Sequence, residues 1–264
     1  MGKIHYITFA TGNSRVTGLP YSDTQKMMVD SIQSKTNREV IFHTHNLETL
    51  KNEKWFHKVE SYPSKYPDPW GRDGLYCAYK VMIANELIDT IDDGDFIYYT
   101  DSSAYFREPF EENIDRLFDY VEYNGHACGS AGNDFKHNSF GCCDNKRVWE
   151  TIWPNCDYHM IVNKPHILAS WYCFQKNEET TKFIKDWAYY FTYELDDKPL
   201  CTYHHTVDQS IFNILVYKYG FKVFFNNKHH DHNKNHNNVH RQLSNEPNSD
   251  IENLKKWFVN PIDF

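Results

Sequence analysis

The alternation of strand-like and helix-like segments in the amino half limits the fold more than any other feature of this sequence. Residues 3–10, Lys-Ile-His-Tyr-Ile-Thr-Phe-Ala, have the β-branched and aromatic content of a buried strand, and Thr11-Gly12-Asn13-Ser14 ends it with turn formers. Asp23 is a helix N-cap residue type. Beyond it, residues 24–35 place Met28 and Ile32 one turn apart, and Glu39 to His43 read as a second short strand. Ala84, Leu87, Ile88 and Ile91 recur at i, i+3, i+4 and i+7, which predicts an amphipathic helix of about four turns closed by Asp92-Asp93-Gly94. A strand over residues 95–100 follows at once. Strand, helix and strand repeated in this way mark the α/β class.

The carboxyl half is less regular. Three apolar stripes predict helices: Ile114, Leu117, Phe118 and Val121; Phe183, Ile184, Trp187, Ala188 and Phe191; Ile211, Phe212, Leu215 and Tyr219. Residues 126–130, 168–174 and 221–225 are strand candidates between them. Residues 61–74 carry three prolines with Trp70 and Gly71-Arg72-Asp73-Gly74, an irregular connection of a length that often serves function. Residues 226–240 hold five histidines among asparagines and are too polar to pack as a core element.

Charge and composition exclude some functions. A net charge of −8 argues against nucleic acid as a partner, since proteins that grip phosphate backbones carry a basic face. An acidic protein still binds a diphosphate when a divalent cation supplies the positive charge. Aromatic residues make up 17% of the chain, so the interior or a groove must accommodate many rings, and ring-lined grooves suit sugars and bases. The seven cysteines form no C-x-x-C pair, and their odd number fits a reducing compartment. With no apolar leader at Met1 to Ile7 and no stretch of membrane-spanning length, the expectation is a cytoplasmic protein without a membrane segment.

The chemistry is concentrated after residue 95. Asp101, Ser102 and Ser103 follow the strand, where ligands of open α/β sheets bind. A carboxylate at a strand end is what a hard cation such as Mn²⁺ or Mg²⁺ requires, and the same side chain also serves as an ordinary turn cap.

The run Gly94-Asp95-Phe96-Ile97-Tyr98-Tyr99-Thr100-Asp101-Ser102-Ser103 resembles the D-x-D segment of glycosyltransferases with the GT-A fold. In that family the first Asp approaches the nucleotide ribose or the metal, and the last is a direct metal ligand. Here Ser103 stands at the last position, a neutral and weaker ligand. Further segments resemble the family in the right order along the chain. Phe9-Ala10-Thr11 resembles the stretch that holds uracil and ribose, and Tyr79-Lys80 a basic position facing the nucleotide sugar. Residues 168–177 resemble the acceptor-side strand, and Asp208-Gln209 a D-Q segment near the anomeric carbon.

The resemblance implies a single GT-A, Rossmann-like domain over residues 1–264, with a mixed, mostly parallel central sheet flanked by helices. Residues 1–103 would form the nucleotide-binding half and 104–264 the acceptor-side half. The implied activity is transfer of a hexose or N-acetylhexosamine from a nucleoside diphosphate sugar, a UDP-sugar above all, to a hydroxyl of a glycan or protein. Asp208 and Gln209 would be catalytic, with Asp208 either activating the acceptor or stabilising an oxocarbenium-like transition state; a helix-start acid is its plain structural reading. Phe9, Ala10, Thr11, Lys80, Thr100, Asp101, Ser102 and Arg72 would bind the nucleotide sugar, with Arg72 pairing with a phosphate. Asp101, Ser103, His230 and His232 would hold the metal. A non-catalytic sugar-nucleotide-binding or carbohydrate-binding protein with a degenerate metal site is the alternative.

Overall fold

Strands that are apolar on both faces must be covered on both, and the first strand, β1 (Ile4–Phe9), is buried at every position. The computed structural model describes residues 1–13, 20–62, 75, 77–101, 114–130, 145–203, 208–224 and 258–259. Beside β1 the strands are β2 (Val40–His45), β3 (Phe96–Thr100), β4 (His126–Ser130), β5 (Ile167–Gln175), a small hairpin of β6 (Glu194–Leu195) and β7 (Lys198–Pro199), β8 (Val223–Phe224) and β9 (Phe258–Val259). The helices are α1 (Tyr21–Gln33), α2 (Leu47–Leu50), α3 (Phe56–Val59), α4 (Ala78–Thr90), α5 (Asp115–Asn124), α6 (Lys146–Ile152), α7 (Tyr158–Ile161), α8 (Glu178–Thr192) and α9 (Asp208–Tyr219).

A seven-stranded sheet runs in the order β2-β1-β3-β5-β4-β8-β9. β1 pairs in parallel with β2 and β3, so that Ile4 lies opposite both Val40 and Phe96. β5 is inserted antiparallel between β3 and β4, β8 is parallel to β4, and β9 is antiparallel to β8. The sheet is therefore mixed and mostly parallel, as expected. Where β4 meets β5 the register shifts at Gly129, and a Cβ there would lie 2.6 Å from the Trp171 indole nitrogen, so only glycine fits.

Alternation along the strands sorts side chains into two cores. Ile4, Tyr6, Phe96, Tyr98, Trp171 and Cys173 face α1 and α5, where Met28, Ile32, Leu117 and Phe118 cover them. Ile7, Phe9, Ile97, Tyr99, Tyr172 and Phe174 face the larger core built by α4, α8 and α9. The stripe expected on α8 is buried at Phe183, Ile184, Trp187, Ala188 and Phe191, and Asn177 caps this helix by accepting from Thr180 N–H at 2.9 Å. The predicted helix after Asp23 instead begins at Tyr21, with Pro20 (φ −57°) in the cap position and Asp23 in the first turn. Proline presets the entry dihedral, so the helix starts earlier than the acid suggests. Among the described residues no helix is long and apolar enough to cross a membrane.

Candidate functional site

The two-residue period of β3 decides where Asp101 points. Ile97 and Tyr99 face the larger core, and Asp101, two residues beyond Tyr99, continues on that side, toward α4 and α9. The Tyr99 hydroxyl donates to Asp101 Oδ1 at 2.5 Å, and Asp101 N–H donates to the Ser170 carbonyl on β5 at 2.9 Å. Thr100 has the opposite parity. Its side chain is fully buried on the α1/α5 side, 2.6 Å from the Tyr6 hydroxyl, so only its backbone lies at the strand end.

Lys80 reaches the same point from the first turn of α4. This turn is entered through Cys77, whose left-handed conformation (φ 59°) costs a non-glycine residue about 1–2 kcal/mol. Strain of that kind persists where the surroundings enforce it. Lys80 is 6% exposed, and a buried ammonium needs anionic partners. Nζ lies 3.1 Å from Asp101 Oδ1 and 3.8 Å from Asp208 Oδ2, above the Tyr99 ring. Burial works against the lysine charge, but Asp101 and then Asp208 outweigh it, and its pKa stands above the ordinary value.

Asp208 opens α9 and is 1% exposed, with its carbonyl accepting from the Trp187 indole at 3.3 Å. Its neighbour Gln209 turns onto β5: Oε1 accepts from Ala169 N–H at 3.2 Å, and Nε2 lies 2.6 Å from His166 Nε2. The amide is thereby oriented, its nitrogen donating to an unprotonated ring nitrogen of His166.

At the ends of β1 and β2 a cavity of about 310 Å³ is lined by Ala10, Thr11, Gly12, Ser22, Asn46, Leu47 and Glu48. Phe9, one residue before it, stacks on Tyr79 with ring centroids 4.0 Å apart, and Tyr79 precedes Lys80. Thus the expected residues Phe9, Ala10, Thr11, Lys80, Asp101 and Asp208 gather along the carboxyl ends of the parallel strands. Arg72, Ser102, Ser103, His230 and His232 lie outside the described residues.

Toward a divalent cation the described residues offer a single carboxylate oxygen. Asp101 Oδ1 is engaged by Tyr99 and Lys80, while Oδ2 of the same carboxylate remains to bind a cation. Lys80, Asp101 and Asp208 together carry one net negative charge, which a diphosphate would only increase. Among the described residues no three His, Cys, Asp or Glu side chains come together to hold a metal ion.

Tyr99, His166 and Ser170 are the site neighbours that sequence reasoning did not single out. Tyr99 was accessible to it, since it lies two residues before Asp101 on the same strand face. His166 and Ser170 carry no such signal, because their relevance comes from the pairing of β5 with β3 and its packing against α9.

No protein-family model and no curated protein matches the chain. Among solved structures the chain is similar to mouse xyloside xylosyltransferase 1 in its apo form, at 11% identity, with 82% of each chain covered and a TM-score of 0.46. It is also similar to the galactosyltransferase LgtC in complex with donor and acceptor sugar analogues, at 12% identity, covering 81% of this chain and 70% of that one, with a TM-score of 0.41.

Proposed function

We propose that the chain is a glycosyltransferase that moves a hexose or N-acetylhexosamine from a UDP-sugar to a hydroxyl of a glycan or protein. The observation that carries this reading is the convergence of Lys80, Asp101 and Asp208 at the carboxyl end of β3, beside the cavity at the ends of β1 and β2. Strand ends of an open α/β sheet are where such ligands bind. In this reading Ala10 and Thr11 hold the base and ribose in the cavity, and Lys80 directs its ammonium toward the diphosphate and the sugar.

Asp208, paired with Lys80 and enclosed, is a fixed carboxylate suited to stabilising positive charge at the anomeric carbon. Mn²⁺ or Mg²⁺ would be held by Asp101, with Ser103, His230 and His232 as the further proposed ligands. When bound, such an ion neutralises charge on a departing diphosphate.

A thermal-shift screen of UDP, GDP and their sugars, each with and without Mn²⁺, tests the reading. A shift with UDP and UDP-sugars, accompanied by slow Mn²⁺-stimulated hydrolysis of a UDP-sugar, is the expected result. Binding without turnover would favour the non-catalytic alternative, and no shift with any nucleotide would refute the glycosyltransferase reading.

A further inference from the structure

We infer that the hydroxyl of Ser170 is a contact for the transferred sugar and helps set which sugar the site accepts. This rests on the glycosyltransferase reading and extends it to the donor's sugar moiety.

The register of the sheet places this side chain. β3 and β5 pair antiparallel with Tyr99 opposite Tyr172 and Thr100 opposite Trp171, so Ser170 is the next partner, opposite Asp101. The 2.9 Å bond from Asp101 N–H to the Ser170 carbonyl continues that ladder. Residues directly opposed in an antiparallel pair project to the same side of the sheet, with Cβ atoms about 4.5–5.5 Å apart. Ser170 is therefore a neighbour of the Asp101 carboxylate, on the side where Lys80 and Asp208 arrive.

The state of the hydroxyl points to a ligand. Ser170 is 8% exposed, and its Oγ is enclosed without a hydrogen-bond partner among the described residues. A buried hydroxyl left unpaired costs free energy, whereas alanine in its place would cost none. By contrast, the Ser34 hydroxyl is satisfied locally, donating to the Ser31 carbonyl at 2.9 Å. Ser170 has no such local partner among the described residues, and it lies where the pairing of β5 with β4 shifts from Cys128 opposite Tyr172 to Gly129 opposite Leu168. Beside it, Asp101 can accept from a sugar hydroxyl and Lys80 can donate to one. The Ser170 hydroxyl can do either, which suits a ligand group that is itself both donor and acceptor.

The test compares Ser170→Ala with the parent protein in binding UDP, UDP-glucose, UDP-galactose and UDP-N-acetylglucosamine by calorimetry. The expected result is a loss of roughly three- to tenfold in affinity for at least one UDP-sugar, the scale of one hydrogen bond, with UDP itself changed by less than about twofold. The melting temperature of the variant should equal or exceed the parent's, because an unpaired hydroxyl is removed; a merely structural serine would lower it. Monodeoxy analogues of the affected UDP-sugar give an independent readout on the unmodified protein, where one of them should lose a similar factor and bind the variant no worse. Equal losses for UDP and UDP-sugars, or no loss for any, would overturn this inference alone. Failure of every nucleotide to bind the parent would overturn the glycosyltransferase reading, and the inference with it.

Discussion

The two ends of the central sheet treat buried charge in opposite ways. At the amino ends of the strands, charged groups are paired at short distances, although His5 Nε2, Arg38 Nε and His126 Nδ1 are buried without a hydrogen-bond partner among the described residues. Asp95 accepts from Lys3 N–H at 2.7 Å and lies 3.4 Å from His5, which in turn meets His43 at 3.1 Å. Arg38 is gripped by Asp119 and Glu122 at 2.6 Å each and lies over Phe96 and Phe118. At the carboxyl ends, Lys80 has one contact of hydrogen-bond length and one longer ion pair, Ser170 has an unpaired hydroxyl, and a cavity opens nearby. The short ion pairs of Arg38 at the amino ends close the fold, whereas the longer Lys80 contacts at the carboxyl ends lie within the candidate site.

Replacing the two buried cations would separate these roles most sharply. Lys80→Met removes the ammonium 3.8 Å from Asp208, a carboxylate that is 1% exposed, and a stability loss of about 3–5 kcal/mol is expected, together with loss of UDP-sugar binding. Urea denaturation and the nucleotide thermal-shift assay check the two effects; an unchanged midpoint would show that Asp208 finds solvent or another partner.

The amino end should respond to acid. Burial, and secondarily Lys222, lowers the pKa of His126 to about 4 from 6.5, while its Nε2 accepts from Lys222 N–H at 3.1 Å. Burial, then His5 and His45, lowers His43 to about 4 as well. Between these values the unfolded chain takes up protons that the folded chain does not, so stability is complete above pH 6.5 and is lost as the pH falls toward 4. The loss is on the order of 3 kcal/mol for His126, and less for the more solvent-accessible His43. Denaturation midpoints across this window, compared with those of His126→Phe, check it: the variant should depend on pH less steeply, by about one proton.

The smallest effect is expected at Arg38. Its partners Asp119 and Glu122 have side chains 47% and 37% exposed, so in Arg38→Met they return to water, and the loss should be about 1 kcal/mol with UDP-sugar affinity unchanged. A loss as large as that of Lys80→Met, or any change in nucleotide binding, would dissolve the distinction between the two ends.

Much of the fold was legible in the sequence because burial on one side of a helix, or on both sides of a strand, is written in local spacing. The stripes on α5 and α8 and the core of β3 are examples, whereas α9 is buried on nearly every face, beyond the stripe its spacing showed. Boundaries were less so. β2 runs from Val40 to His45 rather than over 39–43, since parallel pairing with β1 continues to Phe9 opposite His45. The antiparallel insertion of β5 between β3 and β4 left no trace in its own residues, because an all-buried strand reads the same in either direction. Within the candidate site, the sequence named Lys80, Asp101 and Asp208 as separate residues but gave no sign that Thr100 turns away to Tyr6 or that Gln209 is held by Ala169 and His166.

By itself, then, the sequence determined the principal strands and helices, though not the short ones such as α2, α3, α6 and α7, and that β3 ends in an acid pointing to the same side as Tyr99. These follow from periods of two and 3.6 residues that act over a few neighbours. Only the tertiary structure decided that Asp101 meets Lys80 and Asp208, and that Ser170 stands opposite Asp101 with its hydroxyl unpaired. Partners from remote segments are chosen by sheet order and register, which are set by packing of the whole domain rather than by any local pattern.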